Sequence, residues 1–361
     1  MKRNKRKQLK QSLRAKICPI LLVSMISAMM LGGCGKRNGS NETEKQSEVV
    51  FQYGDHIVTS GETYIYAKAV EERYVDQYGE AVWQLILPAT GSDATSMVDL
   101  TREAIVEEIV KVKTLVEHAK DYGIGLSDEE ISLLKTRAHD FYEGLTDADI
   151  EKMNITEELV YQVLYENQIA GIVTEKIFER NPVEISDETA RMTTFYDMYF
   201  ACYTIDDSGT VVPYTSEEKK QQYENALQAC STLGTGGITE NHEAENIEKL
   251  AEYYKLDQAK EQTLSPQEIL EIYGEEVYNL LYSMENGEYT TVIETEYGYH
   301  VFQMIALTDA RATKENKDIM TAKQTEEQMA SRMEAWRNQI DENFSYPESI
   351  NMDLYKTIVV D

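Results

Sequence analysis

The chain has 361 residues, with 35 Lys and Arg against 64 Asp and Glu, a formal net charge of −29. A field of that sign repels nucleic acid and anionic lipid, so nucleic-acid binding is excluded as a leading function. The five His form no H-x-x-H or H-E-x-x-H pattern, and neither a metal nor another cofactor is expected.

Eight Lys and Arg within the first sixteen residues precede an apolar run over residues 17–30, ICPILLVSMISAMM, which ends in Leu31-Gly32-Gly33-Cys34. Basic stretch, short apolar core and small residues in that order mark a secretory signal, too short for a permanent span. Leu-Gly-Gly-Cys resembles the lipobox of bacterial lipoproteins. The resemblance implies cleavage after residue 33 and lipid attachment at Cys34, where two acyl chains would give stable anchoring. An ordinary signal peptide with a chance Cys is the alternative. Residues 1–33 hold eight of the 35 basic groups and no acidic one, so the 328 residues that follow carry 27 basic against 64 acidic groups, net −37.

Residues 34–48 are polar and read as a flexible tether. Val49-Val50-Phe51 and His56-Ile57-Val58 flank Gly54 as a hairpin, and Thr59-x-x-Glu62 is a capping box opening a helix over 60–78. Ile105, Ile109, Val112, Val116 and Ala119 share one face of a helix over 97–122, closed by Gly123. Ser127-x-x-Glu130 caps the next, with Ile131, Leu134, Ala138 and Phe141 inward. A third runs from Thr156 to Phe178 and stops before Asn181-Pro182.

Composition changes near residue 195. Residues 198–205, MYFACYTI, read as a strand, and 216–229 as a helix. A Gly-rich loop over 234–237 precedes a helix over 246–254, another helix spans 266–283, and strands follow at 290–294 and 299–305. Met329, Met333, Trp336 and Ile340 restore helical spacing, better suited to a helix–helix seam than to a client surface, and a strand is expected over 355–360. Strands segregated from helices in this way give an α+β fold. Cys202 and Cys230 leave a disulfide open without making a framework.

Residues 49–190 carry a set of ordered motifs: Tyr53-Gly54-Asp55 with Ile57-Val58-Thr59; Ala104 to Val110; Ala119 to Ile124; and Leu126 to Ile131. Together these resemble the N-terminal chaperone region of SurA- and PrsA-type folding factors. In the second half, Leu250 to Asp257, Gly287-Glu288-Tyr289 and Tyr297-Gly298-Tyr299-His300-Val301-Phe302 resemble a parvulin-type peptidyl-prolyl isomerase. The likeness implies a mostly helical chaperone domain, built from 49–190 and completed by 311–361, with a parvulin-like α+β domain inserted over 195–310. His300 would correspond to the family's second active-site His and Asp257 to its Asp or Cys position, with Tyr273, Val277 and Tyr282 walling an apolar slot for proline.

Two departures bear on activity. The family's first His is missing from Tyr199-Phe200-Ala201-Cys202, and Gln258 to Thr263 replaces the Gly-Gly-x-Leu-Gly stretch. The expected function is a lipid-anchored, extracytoplasmic folding factor whose partners are unfolded or newly exported proteins, with a parvulin-like domain whose catalysis is uncertain. An active isomerase is the alternative, and a solute-binding lipoprotein a distant third because the first half lacks strand–helix alternation. Homodimerisation is compatible with the sequence but not specified by it.

Overall fold

The computed structural model describes residues 47–87, 95–234 and 247–360. The signal, Cys34, nearly all of the tether and the Gly-rich loop beyond Gly234 lie outside them. The chain is α+β, and its described residues divide into two compact units, one running up to Pro182 and resuming from Glu327, the other lying within Val183–Glu326.

The first unit opens with the antiparallel pair β1 (Val49–Tyr53) and β2 (His56–Thr59), turned at Gly54, whose φ is 56°. Helix α1 (Ser60–Tyr78) follows, and the Thr59 side chain accepts from the Glu62 N–H. The reciprocal half of the expected capping box is not made. Glu62 instead points its carboxylate to Lys113, 2.8 Å away. The short pair β3 (Ile86–Leu87) and β4 (Thr95–Ser96) leads into α2 (Met97–Glu117). Then come α3 (Asp128–Gly144), capped at Ser127 by the full box with Glu130, α4 (Asp147–Met153) and α5 (Glu157–Arg180). Each capped start is worth about 1 kcal/mol.

The apolar faces read from the sequence meet in two clusters. Ile105, Val106, Ile109 and Val110 pack with Val160, Val163 and the hairpin residues Phe51, Tyr53 and Val58. Val112 and Leu115 pack with Ile169, Val173 and Ile177.

The second unit is built on a four-stranded antiparallel sheet in which the strands Lys260–Leu264, Thr193–Ala201, Gly298–Ala306 and Ile293–Thr295 lie side by side in that order. Its central strand β5 (Thr193–Ala201) runs on into a hairpin, β6 (Tyr203–Ile205) and β7 (Val211–Pro213). Helices α6 (Ser216–Gly234) and α7 (Ile247–Tyr253) lead to edge strand β8 (Lys260–Leu264), helix α8 (Pro266–Tyr282), and strands β9 (Ile293–Thr295) and β10 (Gly298–Ala306).

Alternation along β5 sorts the core into two layers. Tyr196, Met198 and Phe200 face α6 and α7 through Ala226, Ala229, Leu250 and Ala251. Phe195 faces α8, where Ile269, Val277 and Leu281 pack with Phe302 and Met304. Gly298 lets β10 close on β5: a Cβ there would lie 2.3 Å from the Phe200 carbonyl oxygen and 2.7 Å from the Tyr199 ring.

Helix α9 (Ala310–Asp341) contributes residues to both units. Its Met329, Met333 and Trp336 pack with Val112, Leu115 and Val173, a helix–helix seam. The strand expected over 355–360 does not form. A helical turn, α10 (Met352–Tyr355), is followed by turns, and Tyr355, Ile358 and Val359 are all buried in the first unit's core. Their spacing of three and one is helical, which a strand could not bury on one side. Cys202 and Cys230 are both free thiols. Among the described residues no helix is long and apolar enough to cross a membrane, and no group of His, Cys, Asp and Glu could hold a metal ion.

Candidate functional site

His300 sits in the middle of the sheet because β10 pairs with β5 in a register that sets His300 opposite Tyr199 and Phe302 opposite Asp197. Directly opposed residues share a face, so Asp197 and His300 are diagonal neighbours on the side covered by α8. His300 Nδ1 lies 2.8 Å from Asp197 Oδ1, and Nε2 lies 3.1 Å from the Thr295 hydroxyl. Both ring nitrogens are therefore engaged. His300 is 6% exposed and Asp197 4%.

Aromatic rings enclose the imidazole. Tyr199 stacks on it at 4.4 Å and 14°, Phe302 lies nearly parallel at 5.4 Å, and Tyr273 of α8 meets it edge-on at 5.8 Å. The Tyr273 hydroxyl donates to Asp197 Oδ2 at 3.0 Å and accepts from Gln262 Nε2 on β8. Burial first, and then the neighbouring Asp197 carboxylate, hold the Tyr273 phenol far above its ordinary range, so it stays a donor. The result is a chain, Gln262 to Tyr273 to Asp197 to His300 to Thr295, in which every buried polar group has a partner. With Asp197 accepting, His300 Nδ1 carries a proton. The Thr295 hydroxyl also reaches the Gly298 carbonyl at 3.2 Å. Its one proton serves either that oxygen or His300 Nε2.

The other residues singled out from the sequence lie elsewhere. Asp257 is exposed on the turn between α7 and β8 and is not a hydrogen-bond partner of His300. Val277 is core, packed with Phe195 and Phe302. The Tyr282 hydroxyl lies 3.1 Å from Thr193 Oγ1, six positions along β5 from Tyr199 and thus roughly 20 Å away at about 3.4 Å per residue. Of the three slot residues, only Tyr273 reaches the imidazole. The sequence reading missed Asp197, Gln262 and Thr295. Asp197 had a signal: it is the only charged residue between Thr193 and Ile205, two positions before Tyr199 and so on the same face.

No protein-family model matches the chain. Among curated proteins, a foldase protein PrsA of Clostridium perfringens strain ATCC 13124 is 23% identical over 338 residues, covering 88% of this chain and 91% of the relative. That of C. perfringens strain 13 is 24% identical over 293 residues, 78% of each chain. Among solved structures, PrsA from Bacillus subtilis is 14% identical and covers 73% of this chain and 94% of that one, with a TM-score of 0.23. Foldase protein PrsA from Streptococcus pneumoniae is 11% identical and covers 76% and 98%, with a TM-score of 0.25. These overlays are too loose to argue from, and the sequence similarity, which runs through both units, carries the likeness. The chain is a PrsA-like homologue of curated foldases, as its motifs led one to expect.

Proposed function

We propose that the chain is an extracytoplasmic foldase that holds unfolded exported proteins. In this reading it is tethered by lipid at Cys34, with a helical chaperone domain over 49–190 and 311–361 and a parvulin-like unit over 195–310 whose His300 serves the sheet rather than a substrate. Similarity to PrsA foldases over most of the chain supports the foldase reading. The burial of His300, with both ring nitrogens occupied, supports the reduced role of the imidazole.

Prolyl isomerisation needs no nucleophile. Its barrier of roughly 18–20 kcal/mol comes from amide resonance, and a catalyst lowers it by accommodating the twisted amide better than the planar one. That demands polar atoms a substrate can reach. A ring covered by Tyr199 and Tyr273 offers almost none, and Asp257, Val277 and Tyr282 do not converge with it on one slot. Holding a client, by contrast, asks only for accessible apolar surface and a charged exterior that keeps the complex in solution.

An active isomerase is favoured by one observation. Asp197, on the opening strand where the family places its first His, supplies the hydrogen-bond partner that His300 otherwise lacks.

Two assays on the full chain separate the readings: suppression of aggregation of a reduced, unfolded protein, and proline-limited isomerisation of short X-Pro peptides. Suppression with little or no isomerisation is expected. Strong catalysis abolished by His300→Gln in a chain that still folds would replace the first reading with the second.

A further inference from the structure

The hairpin β6–β7 presents an apolar face that pairing within the sheet leaves open. Tyr203 is paired with Pro213 and Ile205 with Val211, so these four residues lie on one side. Ile205 is 58% exposed and Val211 53%. Among the described residues the hairpin pairs only with itself, and an isolated two-stranded hairpin is marginal in water. Its shape is fixed at both ends instead. At the tip, the Asp206 carboxylate accepts from the Ser208 and Thr210 N–H groups, both at 2.9 Å. At the root, the Tyr214 N–H donates to the Cys202 carbonyl and the Cys202 N–H to the Tyr297 carbonyl, both at 2.8 Å. The face is thus held in place by hydrogen bonds at both ends while its apolar side chains stay in solvent, the condition under which an exposed apolar surface can serve a partner.

Charge and continuity indicate which partner. From Tyr203 to Lys220 the chain carries Asp206, Asp207, Glu217 and Glu218 against Lys219 and Lys220, and Lys219 is near enough to Cys202 at the hairpin root to act on its thiol, so acidic groups outnumber basic ones four to two. At the base, Tyr203 donates to Gln258 Oε1 at 3.2 Å, beside exposed Asp257. Tyr203 also meets Tyr297 edge-on at 6.3 Å. Tyr297 is 56% exposed, and its carbonyl accepts from the Tyr199 hydroxyl at 2.9 Å. The apolar strip thus runs from the hairpin to the ring that covers His300, flanked in sequence by an excess of acidic over basic residues.

We infer that this strip docks an extended, apolar and basic segment of an unfolded client, an inference that rests on the foldase reading and names the surface it uses. The apolar face supplies burial, and the net acidic excess beside it selects against acidic segments.

The test uses the full chain and two fluorescein-labelled peptides of identical apolar sequence, one flanked by Lys and Arg and the other by Asp and Glu, with binding followed by anisotropy. The basic peptide should bind about tenfold or more tightly than the acidic one. Ile205→Thr with Val211→Thr, which keeps β propensity, should lose about tenfold in affinity with an unchanged thermal midpoint. Asp207→Lys, at an exposed tip position, should weaken the basic peptide alone, which guards against a double variant that fails to fold. Equal affinity for the two peptides, or binding indifferent to both variants, would overturn the inference. So would a double variant that abolishes self-association in sedimentation while peptide binding persists, since the strip would then join two copies of this chain. Aggregation suppression keeps the two proposals apart. If it is intact while peptide binding ignores the hairpin, the strip falls and the foldase stands; if the wild-type chain lacks it, the foldase reading falls.

Discussion

The Tyr273 hydroxyl donates to the Asp197 carboxylate at 3.0 Å, so one carboxylate holds both a phenol from α8 and the imidazole of β10. Tyr273→Phe leaves Asp197 Oδ2 and Gln262 without their partner, and a buried polar group stripped of its hydrogen bond costs about 1–3 kcal/mol. Denaturant unfolding followed through the second unit should show that loss. An unchanged midpoint would mean that water replaces the hydroxyl and that the site is open after all.

Gly298→Ala tests the closeness of the two central strands. The added Cβ meets backbone, the Phe200 carbonyl oxygen, which cannot rotate away as a flexible side chain would. Overpacking of that kind costs about 1–3 kcal/mol, and the thermal midpoint of the second unit should fall, accompanied by loss of amide protection along β5 and β10.

In the first unit, Lys113 lies 2.8 Å from Glu62 and 2.6 Å from Glu166, with all three side chains largely buried. Burial raises the Glu62 carboxyl above its ordinary range, and Lys113 opposes that rise. For Lys113 itself, burial pulls downward, yet the two carboxylates outweigh it and the ammonium is held above its ordinary range. Lys113→Met removes the cation that bridges two buried acids. Breaking such a cluster from one side costs about 3–5 kcal/mol, measurable as loss of the first unit's cooperative transition at neutral pH. Replacing all three residues by apolar ones of similar volume should restore most of it.

Glu108 supplies a pH prediction. Burial lifts its pKa above the ordinary value of 4.5, Lys111 and Arg73 pulling it only partway back, and its Oε1 is buried without a hydrogen-bond partner. Folding therefore raises this pKa, and between 4.5 and the raised value the folded chain holds a proton that the unfolded chain has released. Stability from this group is full below 4.5 and is lost as the pH rises through the raised value. Glu108→Gln should leave the chain more stable than wild type at pH 7 and should flatten that part of the stability profile. A difference between variant and wild type that does not change from pH 4 to pH 8 would contradict it.

Cys34→Ser addresses the anchor. Expressed in a bacterium, the variant should persist as a longer, unlipidated precursor that no longer partitions into detergent. Normal processing with undiminished lipid labelling would rule the lipid tether out.

The helices were legible because their apolar faces, caps and stop residues agree: Ser127 with Glu130 and Ser265 with Glu268 each form the reciprocal box. Strands at the sheet's margin were not. Lys260 to Leu264 is polar at every position but the last, so β8 has no alternation to read and owes its existence to pairing with β5. Read as a strand starting at Met198, β5 left out its five earlier residues, Asp197 among them. Tyr355 to Val360 misled in the opposite sense, since a β-branched run is equally a buried turn when its apolar residues sit three and four apart. The partnership of Asp197 with His300 depends on strand register, which a single sequence does not contain.

The Val360 N–H donates to Glu71 Oε1 across 289 residues, Arg102 grips the Val359 and Val360 carbonyls, and Tyr355 donates to the Arg102 carbonyl. These bonds fasten the far end of the chain into the core begun by β1. A polypeptide threaded through a translocation channel N-terminus first would therefore deliver every residue of the second unit before the first could finish assembling. Contacts so remote in sequence form late. On the proposed reading, in which the chain is exported and holds unfolded proteins, a protein of this architecture passes through an interval in which its own helical half lies open, exposing the kind of apolar surface that such clients present.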